Sequence, residues 1–144
     1  MKQPPKEKVY EAFSAIADGR VNMKEDHAEV TSSNGDKTYE VQWRDNMAAS
    51  SDPATYWQGY PGYPLIAVWI LQGKLQADRT IVSYTAGIPW KKLNDACKRD
   101  YARALELALQ DNPHKDVVLK EGEKVNAQLA KMDVTLKRKI PALK

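Results

Sequence analysis

Residues 27–44 read HAEVTSSNGDKTYEVQWR, and this stretch decides the fold. Apolar and polar side chains alternate on both sides of Asn34-Gly35, a pair that favours a two-residue type I′ turn because both turn positions need a positive φ. The alternation predicts an antiparallel β-hairpin with one buried face and one solvent-exposed (wet) face. The buried face is expected to hold Ala28, Val30, Tyr39, Val41 and Trp43.

A lone hairpin is marginally stable, so we expect helices to cover its apolar face. Apolar residues at helical spacing, followed by a glycine, predict the first helix. Two aspartates, one of them directly before a proline, are typical of helix starts. The expected elements are a helix over Lys6–Asp18, a possible third strand at Val21–Met23, a loop at Asn46–Asp52, and short helices at Pro53–Gln58 and Arg79–Ala86.

The apolar run Leu65–Leu71 leaves helix and strand open, because periodicity cannot separate a buried strand from a buried helix. Pro64 before the run and Gly73 after it favour a helix, whereas the β-branched residues inside it favour a strand. We expect a helix here. The alternative would change the sheet.

Two long helices are expected at the C-terminal end, one over Pro89–Gln110 and one after Asn112-Pro113, as an antiparallel αα-hairpin. Gly122 on this segment either lets a neighbouring helix come close or marks where the second helix begins. The fold class is therefore α+β, with a single domain over 1–144 whose basic C-terminal helix, 113–144, either packs back or projects. A projecting helix would expose an apolar stripe suited to self-association: Val125, Leu129, Met132 and Leu136.

The net charge of +3 is too small to argue for nucleic-acid binding by itself. Its distribution is uneven: residues 115–144 hold eight Lys or Arg and four acidic residues, so the first 114 carry −1. Cations at a helix end also interact favourably with the helix dipole and aid solubility. The candidate contacts to phosphate or nucleic acid in this tail are Lys131, Lys137, Arg138 and Lys139.

Several kinds of chemistry lack a signal in the sequence. With one cysteine, Cys97, no intramolecular disulfide can form, and His27 and His114 have no partner at metal-ligand spacing. Phosphate-binding glycine motifs do not occur. We therefore expect no metal and no cofactor. The longest apolar run is far shorter than a membrane span and the first residues show no signal peptide, so a cytoplasmic protein is expected.

The most distinctive segment is YWQGYPGYP, residues 56–64, which holds four of the chain's twelve aromatic residues. Aromatic side chains on a loop stiffened by proline lose little entropy on binding, which suits recognition of a flat or apolar ligand. A loop folded onto the hairpin to close the core would explain the same residues. The candidate binding residues are Tyr56, Trp57, Tyr60 and Tyr63.

We interpret the chain as a small binding or interaction module that uses this aromatic loop, with the protein or small-molecule partner left open. One alternative is a nucleic-acid-binding protein that combines the basic tail with base stacking on the loop. The other is an enzyme in which Tyr56, Tyr60 and Tyr63 act with acids from the wet face of the hairpin. No spacing in the sequence supports a particular reaction.

Overall fold

The computed structural model describes residues 1–140, and all of its strands belong to one five-stranded sheet. The strands neighbour one another in chain order. Each pair is antiparallel except the last, in which the fifth strand runs parallel to the fourth. They are β1 (Val21–Met23), β2 (His27–Thr31), β3 (Thr38–Arg44), β4 (Met47–Ser50) and β5 (Thr135–Leu136).

The predicted hairpin is confirmed as β2 and β3, with Ala28 opposite Val41 in the register that the alternation requires. The third strand is confirmed as β1. The type I′ turn is wrong: Gly35, with φ 80°, has a positive φ, but Asn34 does not. The connection is instead wider, because β2 ends at Thr31 and β3 begins at Thr38, and within it the Oδ1 of Asn34 accepts the N–H of Asp36 at 3.0 Å. This side-chain bond replaces the left-handed backbone that we expected at Asn34.

Six α-helices and one π-helical turn accompany the sheet in residues 1–140. The first helix, the short helix capped by Asp78 and the helical identity of the apolar run are confirmed. None of these helices is long and apolar enough to cross a membrane. The elements are α1 (Lys8–Ala17), the π-turn (Ala54–Gln58), α2 (Tyr63–Leu71), α3 (Arg79–Ser83), α4 (Trp90–Ala96), α5 (Tyr101–Leu109) and α6 (Lys115–Leu129).

The core lies around α2, which contacts α1 as well as β1, β3 and β4. Every side chain from Pro64 to Ile70 is buried. A helix that is buried on all sides needs apolar residues all round, which explains why this run has no helical periodicity. The sheet contributes Ala28, Val30 and Val41 to the same core, all without exposed surface.

Two expectations for the middle of the chain are wrong. The segment expected to be a loop at Asn46–Asp52 contains β4, because pairing with β3 and burial of Ala48 and Ala49 outweigh its weak strand propensity. The long helix expected over Pro89–Gln110 is broken into α4 and α5. Lys98 and Arg99 take positive φ angles of 52° and 67° at the break.

The C-terminal segment packs back on the rest of the chain. Helix α6 contacts α1 and α3. The helical seam expected to reach Leu136 is wrong, because α6 ends at Leu129 and Thr135–Leu136 forms β5 beside β4. The last part of the predicted basic segment, residues 141–144, lies outside the described residues.

Candidate functional site

The aromatic loop at residues 56–64 is held in place by the carboxylate of Asp52, a residue that is 3% exposed. It accepts hydrogen bonds from the hydroxyl of Ser50 and from the N–H and hydroxyl of Thr55, the last two at 3.1 and 2.9 Å. The Thr55 oxygen accepts the N–H of Gly62 at 2.8 Å. A Cβ on Gly62 would lie closer than 3.0 Å to the Asp52 carboxylate, so the loop can close this tightly only around a glycine.

The structure places the four predicted aromatic residues on two sides of this loop. Trp57 is 67% exposed, whereas Tyr56, Tyr60 and Tyr63 are half-buried. Trp57, Tyr60 and Tyr63 line one cleft. Tyr56 does not line it and meets the ring of Trp57 edge-on, with the ring centroids 4.7 Å apart.

The cleft has a volume of about 550 Å³ and lies between the loop, α1, β3, α4 and the start of α5. A second, smaller cavity of about 70 Å³ continues behind it and shares several of its residues. Burial raises the pKa of Tyr63, so its phenol resists deprotonation even more than a free tyrosine does. The cleft residues that sequence reasoning missed are Lys8, Glu11, Tyr39, Asp52, Lys91, Asn94, Asp95, Arg99 and Tyr101.

A buried ion pair lies at the cleft, between Lys8 and Glu11 on α1. The side chains are one helical turn apart, with Nζ and Oε2 separated by 3.3 Å, and both residues are buried. The Lys8 ammonium also lies 4.1 Å from the ring centroid of Tyr101, and the amide nitrogen of Asn94 donates to Glu11 at 3.2 Å. Burial works against the charged form of Lys8, but Glu11 and Tyr101 outweigh it and raise the pKa of this lysine. Burial also raises the pKa of the Glu11 carboxyl, and there it outweighs the opposing effects of Lys8 and Asn94.

One feature of the sequence indicates the Lys8–Glu11 ion pair, which we did not predict. Lys8 and Glu11 lie i and i+3 in a helix whose other neighbours, from Val9 to Ala15, are all buried. A helix with no wet face over two turns must bury its charged residues too, and buried charges need partners. The residues that complete the cleft, Asn94 and Arg99, come from distant segments and carry no such signal.

The basic tail meets the aromatic loop outside the cleft. The guanidinium of Arg138 lies 5.4 Å from the ring centroids of both Tyr56 and Trp57. Strand β5 brings Arg138 to this position. The backbone N–H of Lys137, directly after β5, donates to the carbonyl of Ala48 in β4 at 2.8 Å and so extends the pairing of the two strands up to Arg138. The other predicted tail contacts are exposed and line no part of the cleft: Lys131, Lys137 and Lys139.

The apolar stripe predicted for self-association is not exposed in the folded chain. Val125 and Leu129 have no accessible surface, and Met132 and Leu136 are partly buried against the core. Self-association through these residues would therefore require α6 and the following segment to leave the core. Oligomerisation itself stays a prediction.

Neither Cys97 nor His27 lines the cleft. Cys97 is half-buried at the end of α4, and His27 contacts the exposed Asp26. Within residues 1–140, no three His, Cys, Asp or Glu side chains come together in a way that would hold a metal ion.

Comparison with known proteins identifies a family. A family model described as "Uncharacterised conserved protein UCP014422" matches residues 1–135, and the chain belongs to this family. The description assigns the family no activity. No curated protein and no solved structure matches the chain.

Proposed function

We propose that this member of the family is a binding protein whose cleft takes a small planar ligand. The observation that carries the proposal is the cleft itself, a hollow of about 550 Å³ walled by Trp57, Tyr60 and Tyr101. Pockets for small molecules have volumes of about 300–1,000 Å³ and combine aromatic walls with a few polar groups. The cleft has both, since Asn94 and the Lys8–Glu11 pair provide the polar groups.

The aromatic wall is organised before any ligand arrives. Asp52, Thr55 and Gly62 tie the two ends of the loop together through hydrogen bonds. A preformed loop loses little conformational entropy when a ligand binds, which favours recognition by Trp57 and Tyr60. This also explains why so large an indole is left 67% exposed at the mouth of the cleft.

The Asn94 side chain at the cleft has one satisfied and one unsatisfied polar atom. The amide nitrogen of Asn94 faces Glu11, which fixes the orientation of the amide. Its other atom, Oδ1, is buried and has no hydrogen-bond donor among residues 1–140. Buried acceptors are almost always satisfied in proteins, but this atom has no accessible surface, so a ligand donor could reach it only if the Asn94 side chain turned towards the cleft.

The test uses 2-naphthamide, a planar neutral probe with a hydrogen-bond donor, measured by equilibrium dialysis. At about −0.3 kcal/mol for each of its heavy atoms, the probe should bind with a dissociation constant of about 1 mM or lower. Tyr60→Ala should weaken binding about tenfold, because it removes a wall of the cleft. Tyr56→Ala is the matched control, a half-buried tyrosine of the same loop outside the cleft, and should change binding less than about twofold.

Two results would count against a ligand-binding cleft. One is no binding of the probe at millimolar concentration. The other is an equal loss of binding in the Tyr60 and Tyr56 variants, which would place the probe on the outer face of the loop. Thermal unfolding of both variants separates loss of binding from loss of fold.

Single-stranded nucleic acid is a second candidate ligand, favoured by the contact of Arg138 with Tyr56 and Trp57. An exposed indole beside cations resembles the stacking platforms of single-strand binders. A fluorescent oligothymidine should then bind at low salt and be released steeply as salt rises. Arg138→Gln would weaken that binding and leave 2-naphthamide unaffected. Failure to bind at low salt removes this candidate.

A further inference from the structure

The charges of the cleft decide which kind of planar ligand it takes. Six charged side chains line it, three of each sign: Lys8, Lys91, Arg99, Glu11, Asp52 and Asp95. Lys8 and Glu11 neutralise each other at 3.3 Å, and Lys91 and Asp95 do so at 3.2 Å. Asp52 and Arg99 remain.

Asp52 is not available to a ligand. Its side chain is buried, and both carboxylate oxygens already accept hydrogen bonds from Ser50 and Thr55. Its role is to hold the aromatic loop, and a ligand cation could reach it only by opening that loop.

Arg99, in contrast, is exposed and lines the cleft. Among residues 1–140 no carboxylate lies within 4.0 Å of its guanidinium, whereas Arg103 and Lys124 each have such a partner. The nearest acidic neighbour along the chain, Asp100, accepts the backbone N–H of Arg103 at the start of α5 instead. The break between α4 and α5 therefore presents an unpaired cation beside the aromatic wall.

A cationic ligand fits the cleft less well. The Lys8 ammonium already lies 4.1 Å from the centroid of the Tyr101 ring, where a ligand ammonium would otherwise bind. A second cation would be repelled by Lys8 and by Arg99. An anion would not meet an unpaired exposed carboxylate in the cleft, because Asp95 is paired with Lys91.

The geometry points to a planar organic anion as the ligand, with its carboxylate or other oxyanion bound by the Arg99 guanidinium and its ring on Tyr60, Tyr101 and Trp57. This inference rests on the proposed function and names its ligand class. A guanidinium presents paired N–H donors that match an oxyanion, and hydrogen bonds between charged groups are the strong ones.

The experiment compares three probes that share one ring and differ in charge: 2-naphthoate, 2-naphthamide and 2-naphthylmethylammonium. In the full chain at low salt, 2-naphthoate should bind about tenfold more tightly than the neutral amide, as expected for a charge-assisted hydrogen bond. The ammonium should bind most weakly. In Arg99→Gln the preference for 2-naphthoate over 2-naphthamide, measured as the ratio of the two dissociation constants in the same variant, should fall to about twofold or less.

Lys98→Gln is the matched control. Lys98 is the adjacent cation, shares the positive φ and the exposure of Arg99, and does not line the cleft. This variant should keep the preference for the anion. Both side chains are on the surface, so the midpoint temperature of thermal unfolding should change little in either variant.

The outcomes separate the two proposals. If 2-naphthamide binds and depends on Tyr60, but 2-naphthoate binds no more tightly, the cleft is a binding site and the anion inference is wrong. A preference that survives Arg99→Gln, or is lost equally in Lys98→Gln, also overturns it, because the effect would then be general attraction by a basic surface. If no probe binds, the proposed function itself fails.

Discussion

The contact between α6 and Tyr10 allows a prediction in which two physical effects have opposite signs. Gly122 lies within α6 and is buried, and a Cβ there would lie closer than 3.0 Å to the ring of Tyr10. That ring is 4% exposed, and its hydroxyl donates to the carbonyl of Leu119 at 3.0 Å. The phenol therefore lies in the gap that the missing side chain leaves, and it has little room to move.

The expected size of the effect of Gly122→Ala follows from three terms. Alanine gains about 1 kcal/mol of helix propensity over glycine. Overpacking a filled core costs about 1–3 kcal/mol, and disturbing the hydrogen bond from Tyr10 to Leu119 costs about 1 kcal/mol more. We expect the free energy of unfolding to fall by about 1–3 kcal/mol. Each kcal/mol lost should lower the midpoint of thermal unfolding by about 2–4 °C.

Urea unfolding monitored by circular dichroism measures this change, with Ala127→Gly as the reference for propensity. Ala127 is exposed on the same helix, and its replacement should cost about 1 kcal/mol. In a Tyr10→Leu background the ring is gone, so Gly122→Ala should cost nothing or stabilise. A more stable single variant, or an equal loss in both backgrounds, would refute the close-packing argument.

Two further predictions concern Gly62 and the titration of Tyr10. Gly62→Ala should lower the free energy of unfolding in urea by about 1–3 kcal/mol and should also weaken the binding of 2-naphthamide. The reason is that the new Cβ would displace the Asp52 carboxylate that holds the loop. Unchanged binding of 2-naphthamide would contradict this prediction. Burial raises the pKa of Tyr10 to about 12 from an ordinary 10.0. The stability that depends on the neutral phenol is therefore complete below pH 10 and is lost as pH rises towards 12. Tyr10→Phe should flatten this alkaline part of the stability curve, and an unchanged slope would show that Tyr10 does not cause it.

The elements that the sequence predicts correctly are those with a local physical cause. The register of β2 and β3 follows from alternation, since a slip by one residue would turn Val30 and Val41 to the wet face. The cap of α3 follows from the chemistry of Asp78, whose carboxylate accepts the N–H of Thr80 at 2.9 Å. Gly122 admits a close neighbour, the first of its two expected roles, and Tyr10 is that neighbour.

The elements that could not be predicted from the sequence depend on residues far apart in the chain. Strand β4 has the sequence MAAS, with no β-branched residue, and exists because β3 and β5 pair with it on either side. The break between α4 and α5 has no glycine or proline, so helical periodicity runs through it undisturbed. Asp100 is the one readable signal, because an aspartate before an apolar run is a typical N-cap.

The same break shows why one part of the candidate site could be predicted and a larger part could not. The aromatic loop is visible as composition, and three of its four predicted residues line the cleft. Arg99 reaches the cleft because α4 ends early and two consecutive residues take the left-handed conformation. For residues other than glycine this conformation costs about 1–2 kcal/mol each, so a continuous helix would have been the locally cheaper arrangement. The cost is offset by an ordinary C-terminal cap of α4, in which the N–H groups of Lys98 and Arg99 donate to the carbonyls of Asp95 and Asn94 at 3.1 and 2.9 Å. Because this cap also carries the unpaired cation of the cleft, Arg99 is placed by a local backbone motif that hydrophobic periodicity does not reveal.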